Sequence, residues 1–131
     1  MPHSFTNPPE LHDPVGFGYS HVATASGDLV FVAGQYASDA GGQVASTDFA
    51  DQVRRAFTNL RAALASAGLD FEHVVQLRTH IVAHDPGKLE ILAEHIGEIW
   101  GDSPPVQTLT GVAALALPDL RFEVDAIAVR P

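Results

Sequence analysis

Twice along this chain an apolar pattern of helical period gives way to one of strand period, and that alternation restricts the fold more than any other feature. Phe49, Val53, Phe57, Leu60 and Leu64 recur at intervals of three and four, which places them on one face of a helix. Ser46, Thr47 or Asp48 can cap its start and Gly68 can stop it, so the first helix is expected over about Asp48 to Ala67. From His73 to Val82 the period falls to two, with Val75, Leu77, Thr79 and Ile81 alternating against Gln76, Arg78 and His80. Asp85-Pro86 then opens a second helix, whose apolar face is Leu89, Leu92, Ala93, Ile96 and Ile99 and whose end is Gly101. After Pro104-Pro105 two strands are expected, about Val106 to Leu115 and Leu120 to Val129, joined at Leu117-Pro118-Asp119.

Ahead of the first helix, the runs Phe17 to Thr24 and Leu29 to Ala33 flank Ser26-Gly27-Asp28 and read as a hairpin. Residues 1–15, rich in proline, read as an extended N-terminal arm, with the fold starting near Val15. The element order is β-β-α-β-α-β-β, an α/β (α+β) arrangement in which a mixed sheet carries both helices on one face. The last strand has apolar residues on both faces, Phe122, Val124, Ala126 and Ala128 on one and Ile127 and Val129 on the other. With both helices on one side, the bare face is best covered by another copy of the chain.

Length and composition narrow the function. The 131 residues form one expected domain, 1–131, with enough apolar residues for one core. There is no cysteine, which excludes disulfides, thiolate metal sites and cysteine nucleophiles and permits a reducing compartment. The first residues lack a basic and an apolar signal region, and no apolar run approaches a membrane span, so a cytoplasmic protein without a membrane partner is expected. A formal charge of -9 repels phosphate backbones and argues against nucleic acid. None of the seven histidines pairs with another at ligand spacing on one element, so no metal is expected. Asp39-Ala40-Gly41-Gly42 is too acidic for a phosphate loop, and neither Ser20 nor Ser103 sits in a nucleophile elbow.

The end of the chain, from Pro105-Val106-Gln107-Thr108 through Leu117-Pro118-Asp119-Leu120-Arg121-Phe122-Glu123-Val124-Asp125-Ala126-Ile127-Ala128, resembles the C-terminal signature of the RidA (YjgF) family. Gly34-Gln35 after a strand, Gly68-Leu69 after the first helix and Val74-Val75 opening the next strand extend the resemblance over about Gly16 to Arg130. It implies a chorismate-mutase-like fold with a mixed six-stranded sheet, a homotrimer, and clefts at the subunit interfaces. It also implies hydrolysis of reactive enamines and imines such as 2-aminoacrylate, without cofactor or metal. In that pattern an arginine after the signature's Pro-Ala binds the substrate carboxylate and a later glutamate orients the attacking water.

Here the glutamate is Glu123, the expected catalytic residue, and Gln107 stands in place of the arginine. Tyr19, Gly34, Gln107, Thr108 and Leu109 are the expected substrate-binding residues, while Ala33, Ala93 and Leu109 depart from the side chains usual in active deaminases. A glutamine amide offers a neutral donor edge where a guanidinium offers a charged fork, a difference of roughly 1.5–3 kcal/mol for a carboxylate ligand. Poor turnover of 2-aminoacrylate follows, with Gln107→Arg raising it. Arg78 and His80, on one strand face, could replace the missing cation, although pairing of Arg78 with Asp125 is the plainer outcome. Two readings stay open: an imine or enamine deaminase-like hydrolase with altered specificity, and a non-catalytic small-molecule-binding or regulatory trimer.

Overall fold

A computed structural model describes residues 3–131. Both helices form where the period of three and four requires them. The first, α1 (Phe49–Ser66), is capped by Asp48, whose carboxylate accepts the backbone N–H of Asp51 at 3.0 Å. The second, α2 (Pro86–Trp100), is capped by Asp85 through the N–H of Lys88 at 2.9 Å, with proline at the first helical position.

Six strands accompany them among the described residues. These are β1 (His3–Thr6), β2 (Val22–Ala25), β3 (Asp28–Gln35), β4 (Val74–Val82), β5 (Val106–Val112) and β6 (Phe122–Arg130). Four make one mixed sheet in the order β3-β6-β4-β5, with β4 and β5 parallel and the other neighbours antiparallel. The parallel pair is bridged by α2, the crossover such pairs require.

The fold is therefore mixed α+β with both helices on one sheet face, but its six strands are divided. Strand β2 does not form a hairpin with β3. It pairs with β1 instead, Phe5 opposite Ala23, in a separate two-stranded ribbon, and β3 pairs with β6. Strand β1 therefore lies within the stretch expected to be an extended arm, ahead of Val15. The physical reason lies at Gly27, whose φ of 125° turns the chain against the end of β6 and delivers β3 there. The strand expected to run to Leu115 ends at Val112, and β4 lies between β5 and β6.

Between helices and sheet, Val53, Phe57, Leu60 and Leu64 of α1 and Leu92 and Ile96 of α2 pack on Leu77, Ile81, Phe122 and Val124. Gln52 is also fully buried, and its amide is satisfied. Nε2 donates to the carbonyls of Ser46 and Asp119, and Oε1 accepts the N–H of Arg121, so α1 is tied to the start of β6. Among the described residues no helix is long and apolar enough to cross a membrane.

His95 of α2 lies against Phe57, ring centroids 5.1 Å apart, and burial pushes its pKa below the ordinary histidine value. Glu98 opposes the shift and Arg54 adds to it. The folded state then disfavours the charged ring, so the unfolded chain binds more protons below about pH 6.5. Stability is expected to fall as pH drops through that value. Thermal melts of wild type and His95→Gln between pH 7.5 and 5 check this, because the variant should show the shallower acid slope.

Candidate functional site

The short turn that forms one wall of the site is held by one close packing contact and two side-chain hydrogen bonds. A 3-10 turn at Val15–Phe17 ends on Gly18, whose φ is 87° and whose missing Cβ would lie 3.1 Å from the Cα of Ala93 on α2. Gly18 therefore has both a conformational and a packing reason, and Ala93 serves this close approach. Gln107 of β5 donates through Nε2 to the Gly18 carbonyl at 3.0 Å. Ser20, buried, donates to the carbonyl of Pro104 at 2.6 Å. Tyr19 is thus fixed between two pinned neighbours.

A cavity of about 400 Å³ opens beside it. Its walls are His12, Phe17 and Tyr19 on one side and Leu89 of α2 with Gln107, Thr108 and Leu109 of β5 on the other. Four of the expected binding residues, Tyr19, Gln107, Thr108 and Leu109, are brought together here. His12, Phe17 and Leu89 escaped the sequence reading, since loop residues and a helix-edge leucine follow no period that marks a site. The signal was the density of rings, His12, Phe17, Tyr19 and His21 within ten residues. Those rings meet edge to face, with His12 and His21 centroids 4.9 Å apart and Tyr19 and His21 5.4 Å apart.

Hydrogen bonds order this cluster. His12 Nε2 lies 2.6 Å from the Tyr19 hydroxyl, and His21 Nε2 donates to the His12 carbonyl at 2.8 Å. The side chain of Asn7 accepts the N–H of His21 at 2.8 Å, so the proline-rich arm is anchored. Gln107 is more committed than a ligand-reading amide would be. Besides the bond to Gly18, its Oε1 accepts the hydroxyl of buried Thr79 at 2.9 Å.

Glu123 and Gly34 are elsewhere. Strand register places Gln107 beside Leu77 and Leu109 beside Thr79, on the helix-covered face, whereas Glu123 lies opposite His80 on the bare face. The register between β3 and β6 shifts between Val32 and Gln35, a bulge-like irregularity of the kind that re-aims side chains. Gly34, beside it, passes under the Glu123 carboxyl, and a Cβ there would lie 2.7 Å from Glu123 Cδ.

Around Glu123 the bare face is part polar and part apolar. Arg78 Nε donates to Asp125 at 2.9 Å, and His80 Nε2 lies 3.2 Å from the other oxygen of Asp125. The pairing raises the Arg78 pKa through the hydrogen bond and charge of Asp125. Arg78 is therefore paired, and it does not line the cavity beside Gln107. Phe31 is 70% exposed and Leu29 58% exposed on this same face. Among the described residues no cluster of three or more metal-ligating side chains forms.

Comparison with known proteins matches residues 12–130 to the family model described as endoribonuclease L-PSP. The RutC family protein YjgH of Escherichia coli is 37% identical over 109 residues, covering 83% of this chain and 81% of that protein. Protein DfrA of Myxococcus xanthus is 36% identical over 109 residues, covering 82% and 81%. Among solved structures, the Rid-family protein YyfB of Yersinia pestis superposes with a TM-score of 0.94 at 35% identity, covering 99% of this chain and all of that one.

Proposed function

This chain belongs to the RidA (YjgF) family, that of the matched endoribonuclease L-PSP model, and we propose that it hydrolyses a small neutral imine or enamine in clefts completed between copies of itself. The observation that carries this reading is the division of the site. The cavity beside Tyr19 opens at the β5 edge of the sheet, where Gln107 and Leu109 lie on the helix-covered face, while Glu123 stands on the bare face of β6. A head-to-tail ring, in which each bare face meets the next copy's cavity, brings the two together, and three copies close it as a homotrimer. Exposed Phe31 and Leu29 supply the apolar contact such a face needs.

The chemistry of the cavity selects the substrate. Among the described residues its lining holds no lysine or arginine and is largely apolar. A carboxylate would lose water there without gaining a counter-ion. RNA is disfavoured by the charge of -9. Glu123, supplied by the neighbour, would orient water toward the C=N carbon, and ammonia would leave.

The test measures ammonia from 2-aminoacrylate and from its uncharged amide. Wild type is expected to favour the amide, and Glu123→Gln to lose on the order of 100-fold or more. Gln107→Arg is expected to raise aminoacrylate turnover about 10-fold or more through its charged fork. The same variant should lose roughly 1 kcal/mol of stability, because a guanidinium cannot accept the Thr79 hydroxyl. Equal wild-type rates on both probes would overturn the neutral-substrate reading. A second reading, a non-catalytic binding or regulatory trimer, draws support from the two internal bonds of the Gln107 amide, and binding without turnover of either probe would favour it.

A further inference from the structure

The hydrogen bond between His12 and Tyr19 gives the cavity a proton-transfer pair that lies wholly within one chain. We propose that this pair interconverts the enamine and imine, or enol and keto, tautomers of small neutral substrates, an activity that needs neither Glu123 nor the addition of water. Four observations converge. The two groups are 2.6 Å apart, and both line the cavity of about 400 Å³. Tyr19 is held by the bonds to Gly18 and Ser20, and His12 by the His21 ring bonded to its carbonyl. Phe17, Leu89 and Leu109 offer the apolar wall that a neutral substrate prefers.

The hydrogen bond has two senses, and they supply the two steps. When His12 carries both ring protons, its Nε2–H donates to the Tyr19 oxygen, and the phenol hydrogen is free for the substrate. That proton passes to the β-carbon of an enamine, whose C=C electron pair forms the new C–H bond while the nitrogen lone pair forms C=N. The His12 proton moves onto the Tyr19 oxygen as it does so. Now the phenol donates to neutral His12, and an oxygen lone pair faces the cavity. Tyr19 oxygen then takes a proton from the iminium nitrogen as its own proton returns to His12 Nε2. One proton has moved from nitrogen to carbon, the pair is restored, and no other reagent is consumed.

Tyr19 is the catalytic residue in this account, and His12 acts through it as a positioning residue. The titratable neighbours of the pair among the described residues are His21, donating to the His12 carbonyl, and Asp13, which accepts the N–H of Val15 at 3.1 Å. The packed elements α2 and β5 present Leu89, Gln107, Thr108 and Leu109, none of them titratable.

The experiment follows deuterium entering the methyl group of pyruvamide in D₂O by proton NMR, across pD 5.5 to 8. Wild type is expected to accelerate exchange on the order of 100-fold over buffer, the size usual for a positioned acid or base. Tyr19→Phe should return the rate to that of buffer. His12→Gln keeps a hydrogen-bonding partner for the phenol but cannot carry the proton, so it should lose at least about tenfold and flatten the pH profile. Wild-type exchange no faster than buffer, or both variants exchanging like wild type, overturns the proposal. Exchange without hydrolysis of the uncharged enamine sustains it while the hydrolase reading falls, and hydrolysis without exchange does the reverse.

Discussion

Phe57→Ala is expected to cost about 3–5 kcal/mol of folding free energy, the range for removing a large aromatic from a packed core. Phe57 is 1% exposed and joins α1 to both the sheet and α2, because its ring meets Phe122 of the sheet at 6.0 Å and both Trp100, at 6.0 Å, and His95 of α2. No single neighbour can close the void, since Phe122 is fixed in the sheet while Trp100 and His95 are fixed in α2. Thermal melting at matched protein concentration should show a fall of roughly 10–20 °C for a domain of this size. Phe57→Leu, which keeps most of the volume, should lose much less. An alanine variant within a few degrees of wild type would mean that the two helices do not share one core.

The second large effect is expected at the bare sheet face. On the proposed ring, Phe31→Glu should leave monomers without hydrolysis while α1, α2 and the cavity stay folded. Burying a phenylalanine side chain contributes roughly 1.5–3 kcal/mol, and a ring of three repeats the contact three times. The glutamate also adds a charge to a face that already carries Asp125 and Glu123, which adds like-charge repulsion. Assembly should weaken on the order of a thousandfold or more. Light scattering together with circular dichroism checks it: a folded monomer is the expected result. A variant that stays assembled and active would remove Phe31 from the contact.

Much of this architecture was legible in the sequence, for identifiable reasons. The helices were readable because Phe57, Leu60 and Leu64 repeat with the period of one buried face and because Asp48 and Asp85 are strong caps. Strand β4 was readable because burial alternates along it. Pairing was not. The short run at β2 carries no marker of its partner, and only the structure pairs it with a proline-rich arm that propensity reads as outside the fold. Strand alternation assigns a face within one strand, yet comparing Gln107 on β5 with Glu123 on β6 needs the register of β4 between them. The separation of the two expected site residues therefore lay beyond a one-dimensional reading. Arg78 with Asp125 was anticipated, because opposite charges on two central strands commonly meet.

The proposed division of the site between two chains is tested most directly by mixing two inactive proteins. Leu89→Trp fills the cavity while leaving Glu123 in place, and Glu123→Gln removes the carboxylate while leaving the cavity open. Each alone should lack hydrolysis of the uncharged enamine. After unfolding and refolding as an equal mixture, about one interface in four of a heterologous ring joins an open cavity to an intact Glu123. The account predicts recovery of about a quarter of wild-type activity, and a mixture that forms mixed oligomers by mass spectrometry yet stays inactive would contradict it.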